Sequence, residues 1–435
     1  MRVLFVTVPF KTHLYVFAPM ASAFRTAGHD VRFATAPDLT DAIGAIGFMG
    51  VPVGGTIPMD VMMSSTEPDR GPDRSNLPVY RPAQTDYRKV KDPFTELELT
   101  AFGSSTLYHH EDIYEDLVQL ASDWKPDLVL RDPFMFGAGL AARVSGALDA
   151  RLLWGADTLA QLRADCYGEG GGLHRSEGRP DPLRDWLAPI YERYGFPFDE
   201  EVLLGERTVI GWPTWTWRPK DVDYIQSRPI AFHGPHKVEK WMFEKPERPR
   251  VCITQGVSHR DFNFGQTGAA ETLFNAVADL DIEVIATFNA KQLGSASIPD
   301  NVRVFDFVPL NALLTTCSAV VHHGGYGTMA TALELGVPQL VVPNIYWNEK
   351  WWASVALANG LEEQGAGAYV ADADQLTPEL LREYLVKALT DPDMISNAHR
   401  LRDEHLRTPT PNDTVAVFEK LVAQRKAGGG TGPLT

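Results

Sequence analysis

At 435 residues the chain is longer than one hydrophobic core usually serves, and its 44% hydrophobic content is enough for two packed domains. A formal net charge of −16 argues against a nucleic-acid partner, whose phosphates demand a basic face. Three scattered cysteines (Cys166, Cys252, Cys317) show no disulfide or metal spacing, and no apolar run approaches the roughly 18 residues of a membrane span. A cytoplasmic protein is therefore expected.

The first element, "RVLFVTVPF" (2–10), reads as a buried strand rather than a signal peptide, because Lys11 and His13 interrupt it without a small-residue cleavage site. Leu14, Phe17, Met20, Ala21 and Phe24 then recur at helical spacing up to Gly28, and "VRFATAP" forms a second strand. Strand, helix and strand in succession imply a parallel sheet with a right-handed crossover. Segment 52–115 is rich in Pro, Asp, Ser and Met and lacks clear periodicity; long loops or short helices there suit a cover over a pocket. "KPDLVLRDP" is another buried strand, followed by the helix "FGAGLAARVSG".

A Pro- and Trp-dense stretch beginning "GWPTWTWRPK" lacks periodicity and reads as a linker. Five strand candidates follow: "RVCITQGV", "IEVIATFN", "VRVFDFVPL", "AVVHH" and "PQLVVPN", with helical stretches between them. The fold class is α/β, with two Rossmann-like doubly wound domains facing across a cleft. The expected boundaries are 1–215, a linker over 216–245, a second domain over 246–425, and a disordered tail over 426–435. The last helix has the option of crossing back to the first domain.

Ligands of open α/β sheets bind outside the carboxyl ends of the strands, so residues just after strands carry the chemistry. "AVVHHGGYGT" puts His322 and His323 at a strand end, Gly324, Gly325 and Gly327 in the turn, and Thr328 at the opening of a helix. Bare backbone and a helix N-terminus suit an anion, most simply a phosphate, although such turns also serve to pack helix on sheet. The spacing is neither GxxxxGK[ST] nor GxGxxG. His13 follows the first strand, where an imidazole can accept a proton from a hydroxyl. Asp132 ends "PDLVLRDP" and can hold the far imidazole nitrogen; both residues serve equally well as helix caps.

"HHGGYGT" with "GVPQLVVP" resembles the donor-site signature of family 1 glycosyltransferases with the GT-B fold. The likeness is strongest to the bacterial enzymes that attach deoxysugars to macrolide, anthracycline and related polyketide antibiotics. It extends over "WKPDLVLRDP", "ARLLWG", "RVCITQGVSHR", "NVRVFDFVPLNALLTTCSAVVHHGG" and "RTPTPNDTV". The resemblance implies His13 as general base, Asp132 as its orienting carboxylate, and an inverting displacement. It also implies a deoxysugar donor, with or without an amino group, on thymidine diphosphate (TDP). The glycine-rich turn binds the pyrophosphate, with His322 favoured over His323 as the phosphate contact.

Phe307 would lie against the nucleobase, the Val308 backbone would hydrogen-bond it, and Ser258 would approach the phosphates. The chain departs from the family at "YWNEKWW", where Asn348 and Glu349 replace the usual Trp-Asp or Asp-Gln, so the sugar differs in what it presents there. Trp347, Trp351 and Trp352 are expected to pack the wall of that helix, with stacking on the sugar or aglycone as the alternative. No metal or other cofactor is expected, and the small-molecule partners are the nucleotide sugar and an apolar aglycone. The family also contains enzymes that need a P450-like activator protein, and a homodimer is compatible with the sequence. Rival readings are a nucleotide-sugar epimerase of the same fold, a non-catalytic helper subunit and, lacking its fingerprint, a nicotinamide dehydrogenase.

Overall fold

The computed structural model describes residues 1–57, 93–109, 111–168, 172–219, 222–256, 269–343, 354–373 and 375–428. The first sheet contains β1 (Arg2–Val6), β2 (Asp30–Thr35), β3 (Met49–Pro52), β4 (Leu128–Arg131), β5 (Leu148–Leu153), β6 (Arg207–Ile210) and β7 (Tyr224–Gln226). Its order is β3-β2-β1-β4-β5-β6-β7. The second sheet contains β8 (Arg250–Thr254), β9 (Glu283–Thr287), β10 (Val302–Phe305), β11 (Ala319–His322), β12 (Gln339–Val341) and β13 (Gly367–Tyr369). Its order is β10-β9-β8-β11-β12-β13. Every pairing in both sheets is parallel. This is the two-sheet, doubly wound architecture read from the sequence.

The helices that matter below are α1 (Lys11–Thr26), α2 (Pro93–Leu107), α3 (Glu111–Trp124), α4 (Phe136–Ser145), α5 (Tyr326–Leu335), α6 (Val355–Glu363) and α7 (Pro411–Ala427). Parallel strands buried on both faces need apolar side chains pointing both ways. In β1, Leu4 and Val6 enter one core with Leu117 and Phe136, while Val3 and Phe5 enter another with Phe17 and Phe24. α1 forms because Leu14, Phe17, Met20, Ala21 and Phe24 make one apolar stripe, all of them buried. α7 lays Val415, Phe418 and Val422 into that same core, and the rings of Phe24 and Phe418 lie 6.0 Å apart. The chain end thus closes over the first sheet; emptying Phe418 to Ala there costs about 3–5 kcal/mol.

The structure differs from the sequence reading in several places. The stretch assigned to the linker holds β7, which pairs with β6 of the first sheet, and Met242, which is buried in the core of the second domain. Strands β3, β5, β6 and β13 complete the sheets beyond the strands that the apolar runs predict. Within 52–115, α2 forms a helix of 15 residues and α3 begins at Glu111; residues 58–92 lie outside the described set. Helix α7 continues through Ala427, so the first two residues given to a tail are helical, while 429–435 lie outside the described set.

Candidate active site

In the first sheet the strand order reverses between β1 and β4, and there a doubly wound sheet leaves a crevice at its carboxyl edge. The register pairs Val6 with Arg131, so the residues after each strand emerge side by side. Asp132, wholly buried, anchors its backbone N–H on the Val6 carbonyl at 2.8 Å. One carboxylate oxygen accepts the Phe134 N–H at 3.1 Å. The other meets Nδ1 of His13, in the first turn of α1, at 2.6 Å. The Asp132 carboxylate only accepts, so the His13 proton sits on Nδ1 and the Nε2 lone pair is left for an incoming hydrogen.

The walls around this pair are aromatic. The Trp154 ring stands edge-on to His13 at 4.8 Å, and Phe10 lies 5.8 Å from it. Phe134 touches Trp154, and Tyr108 touches Phe10. None of these four had been singled out for a role, although Phe10 and Phe134 flank His13 and Asp132 in the chain and Trp154 stands in the "ARLLWG" phrase. The mixture suits an apolar molecule presenting one hydroxyl.

The second sheet repeats the arrangement. Its order reverses between β8 and β11, and the glycine-rich turn leaves β11 there. Gly324 has φ +97, and a Cβ on it would stand 2.5 Å from the Ser354 Cα, so only glycine fits. The structure gives the His322 ring partners within the protein. Its ring is buried: Nδ1 accepts the Gly324 N–H at 3.1 Å, and Nε2 lies 3.1 Å from the Gln339 side-chain oxygen. Both nitrogens are therefore used inside the protein, which fixes the neutral Nε2–H tautomer. Burial pushes its pKa down to about 4.

His323 turns the other way and is partly exposed. Its ring lies over two glycines; a Cβ on Gly256 would stand 2.4 Å from Cε1, and one on Gly325 would stand 2.6 Å from Nε2. His323 thus sits where β8 and β11 end. Gly325 caps α5 with no side-chain hydrogen bond to its first turn, and Gly327 and Thr328 lie within that turn. Helix α5 therefore points bare N–H groups and the positive end of its dipole at the same place.

Phe307, just past β10, is 40% exposed, whereas Val308 is buried. The His236 ring lies 6.0 Å from Phe307. Ser258, Asn348, Glu349, Trp347, Trp351 and Trp352 lie outside the described residues. The two halves meet through residues 232–236: Phe232 packs on Tyr15 of α1 at 5.5 Å, and His233 lies 3.1 Å from the Thr331 hydroxyl of α5. The helix carrying His13 and the helix carrying the turn are thus bridged by one short segment. Among the described residues no group of three or more His, Cys, Asp or Glu side chains is placed to hold a metal. No helix among them is long and apolar enough to cross a membrane.

Two Rossmann-like sheets, each with such a crevice, make up the GT-B fold, which glycosyltransferases of known structure share. The solved structure of glycosyltransferase VinC in complex with DTDP superposes with a TM-score of 0.81 at 34% identity, covering 98% of this chain and 100% of that one. Spinosyn forosaminyltransferase SpnP gives a TM-score of 0.78 at 33% identity, over 97% and 99% of the two chains.

The chain belongs to the erythromycin biosynthesis protein CIII-like family, whose N-terminal domain matches residues 22–256 and whose C-terminal domain matches 271–421. It is 39% identical to the aclacinomycin-T 2-deoxy-L-fucose transferase of Streptomyces galilaeus, over 99% of this chain and 98% of the relative. It is also 39% identical to the 3-alpha-mycarosylerythronolide B desosaminyl transferase of Saccharopolyspora erythraea, over 98% and 99%. The protein is a glycosyltransferase.

Proposed function

We propose that the protein transfers a deoxysugar, neutral or amino-bearing, from TDP to a hydroxyl of an apolar polyketide aglycone, with inversion at the anomeric carbon. The observation that carries this reading is the 2.6 Å contact between His13 and the fully buried Asp132 at the crevice of the first sheet. His13 Nε2 takes the hydroxyl proton as the acceptor oxygen bonds to the anomeric carbon. The bond from that carbon to the phosphate oxygen breaks with its electron pair, and diphosphate leaves from the opposite face. Asp132 holds the imidazole in the accepting tautomer and stabilises the imidazolium once formed.

At the donor end His323 and the amides of the 324–328 turn meet the departing charge, fixed dipoles placed where it develops. Phe307 stacks on the base, and the aromatic wall of Phe10, Phe134 and Trp154 receives the aglycone. This reading calls for no cation, because the helix N-terminus and imidazole supply the positive potential. The DTDP of the VinC structure and the deoxysugar transferase relatives support the choice of donor.

The test pairs TDP-deoxysugars with polyketide aglycones, follows the product by mass spectrometry, and reads its anomeric configuration by NMR. His13→Ala lowers kcat by about 10²–10⁴-fold and leaves the calorimetric Kd for TDP nearly unchanged. Turnover close to wild type in that variant, or retention of configuration, overturns the mechanism.

A further inference from the structure

The "GWPTWTW" stretch after β6 does not serve as a loose connection. Gly211, the first residue beyond β6, lies against Tyr326, the first residue of α5. A Cβ built on Gly211 would stand 2.0 Å from the Tyr326 hydroxyl oxygen, and the next ring atom is 3.2 Å away. Trp212, wholly buried, stacks on the Tyr326 ring at 6.1 Å and 16°. The contact is repeated in reverse nearby: Trp215 fills the space over Gly360 of α6, where a Cβ would meet its ring at 2.8 Å. Around these notches one apolar core is shared by both domains, including Leu153 and Ile210 from the first and Met329 and Leu357 from the second.

The place of this seam gives it a consequence. Gly211 ends a strand hydrogen-bonded through β5 to β4 and β1, the two strands that deliver Asp132 and His13. Tyr326 lies within the donor turn, between Gly325 and Gly327. The seam is therefore a rigid link between the base and the turn, and its thickness sets the distance between them.

We propose that Gly211 and Tyr326 form a positioning contact that fixes the gap between the donor turn and the His13–Asp132 pair, so that the absence of a side chain at 211 is a requirement of transfer rather than of donor binding. The inference rests on the functional reading above. Adding a methyl at 211 leaves it about 1.4 Å short of ordinary contact with the Tyr326 oxygen. With its ring stacked on the buried Trp212, Tyr326 passes that displacement into the seam, where a misplacement of about 1 Å costs on the order of 10²-fold in rate. Removing the hydroxyl instead leaves the methyl only a few tenths of an ångström too close to the ring, so Tyr326→Phe relieves the collision.

The full-length enzyme, G211A, Y326F and the double variant are compared by thermal unfolding, calorimetry with TDP, and transfer rate at saturating donor. We expect G211A to bind TDP within threefold of wild type and to transfer about 10–100-fold more slowly. The double variant should return to within threefold of Y326F alone, in melting temperature as well as in rate. A G211A enzyme at the wild-type rate, or a double variant as slow or as unstable as G211A, overturns the proposal. Wild-type enzyme that fails to bind TDP overturns the functional reading and this proposal with it. Wild-type binding without rescue overturns this proposal alone.

Discussion

Asp132→Asn is the sharpest perturbation of the proposed base, because the two bonds made by the carboxylate leave the amide no good orientation. Asp132 accepts from the Phe134 N–H at 3.1 Å with one oxygen and from His13 Nδ1 at 2.6 Å with the other. Asparagine brings one oxygen and one NH₂ to the same buried place. If its oxygen stays on the Phe134 N–H, the NH₂ faces His13. The imidazole must then carry its proton on Nε2, where it cannot accept one from the substrate. Turning the amide round restores the tautomer but sets NH₂ against N–H, and an unmet buried donor costs about 1–3 kcal/mol. Either way the charge-assisted bond to the imidazolium, worth about 1.5–3 kcal/mol, is lost. Together these give about 3–6 kcal/mol, or roughly 10²–10⁴ in kcat at 1.36 kcal/mol per decade. The assay is single-turnover transfer with saturating donor, beside calorimetry with TDP, whose Kd stays within a factor of about two. A variant within threefold of the wild-type rate refutes the role given to Asp132.

His323→Ala weakens TDP by about 10–100-fold in calorimetry, the loss of one charge-assisted bond, with little change in melting temperature. His322→Ala does the reverse, lowering the melting temperature by stranding the buried Gly324 N–H and Gln339 side chain; the opposite pattern would restore His322 as the phosphate contact. Phe307→Ala weakens TDP by about 1–3 kcal/mol in the same titration but leaves inorganic pyrophosphate unaffected, and equal losses for both would remove the stacking role. His233, His322 and His405 are each held at about 4 by burial against an ordinary 6.5, so the unfolded chain takes up these protons first as pH falls. Stability is therefore full above about pH 6.5 and declines toward pH 4, with His322 alone accounting for about 3 kcal/mol at the limit. Unfolding temperatures that stay level from pH 6.5 to 4.5 would contradict that burial.

The elements legible in the chain are those whose apolar pattern is uninterrupted, such as β1, with four buried residues in a row, and α1, with its single stripe. β5 escaped because its sequence, "LDARLL", places two charges in a fully buried strand. Burial tolerates them because each finds a partner: Arg131 meets Asp149 at 2.9 Å, and Arg151 meets Asp157 at 2.7 Å. Such pairings join residues from different elements, and no local pattern announces them. α2 escaped for a related reason: its apolar residues are spread round the helix and leave no single stripe to read. At the site, the sequence places both histidines after β11 but does not show which of the two turns into the protein. That choice depends on Gln339, on the neighbouring strand, whose side chain gives His322 an internal partner.

The same internal pairing bears on how so acidic a chain would attract the proposed diphosphate. Arg131, Arg151 and Arg163 are buried in the first domain, and each is matched by carboxylates at 2.6–2.9 Å. They hold the fold together and lend little positive potential to the cleft. With a net charge of −16 overall, attraction in the proposed reading falls on the first-turn amides of α5, positive without being cations of the bulk surface, with a ring N–H of His323 as a further donor. These groups lie where a doubly wound sheet leaves an opening, between β8 and β11. His13 and Asp132, 119 residues apart in sequence, meet for the same reason between β1 and β4. In the proposed reading, a reversal of strand order in each sheet puts the leaving group against one edge and the base against the other.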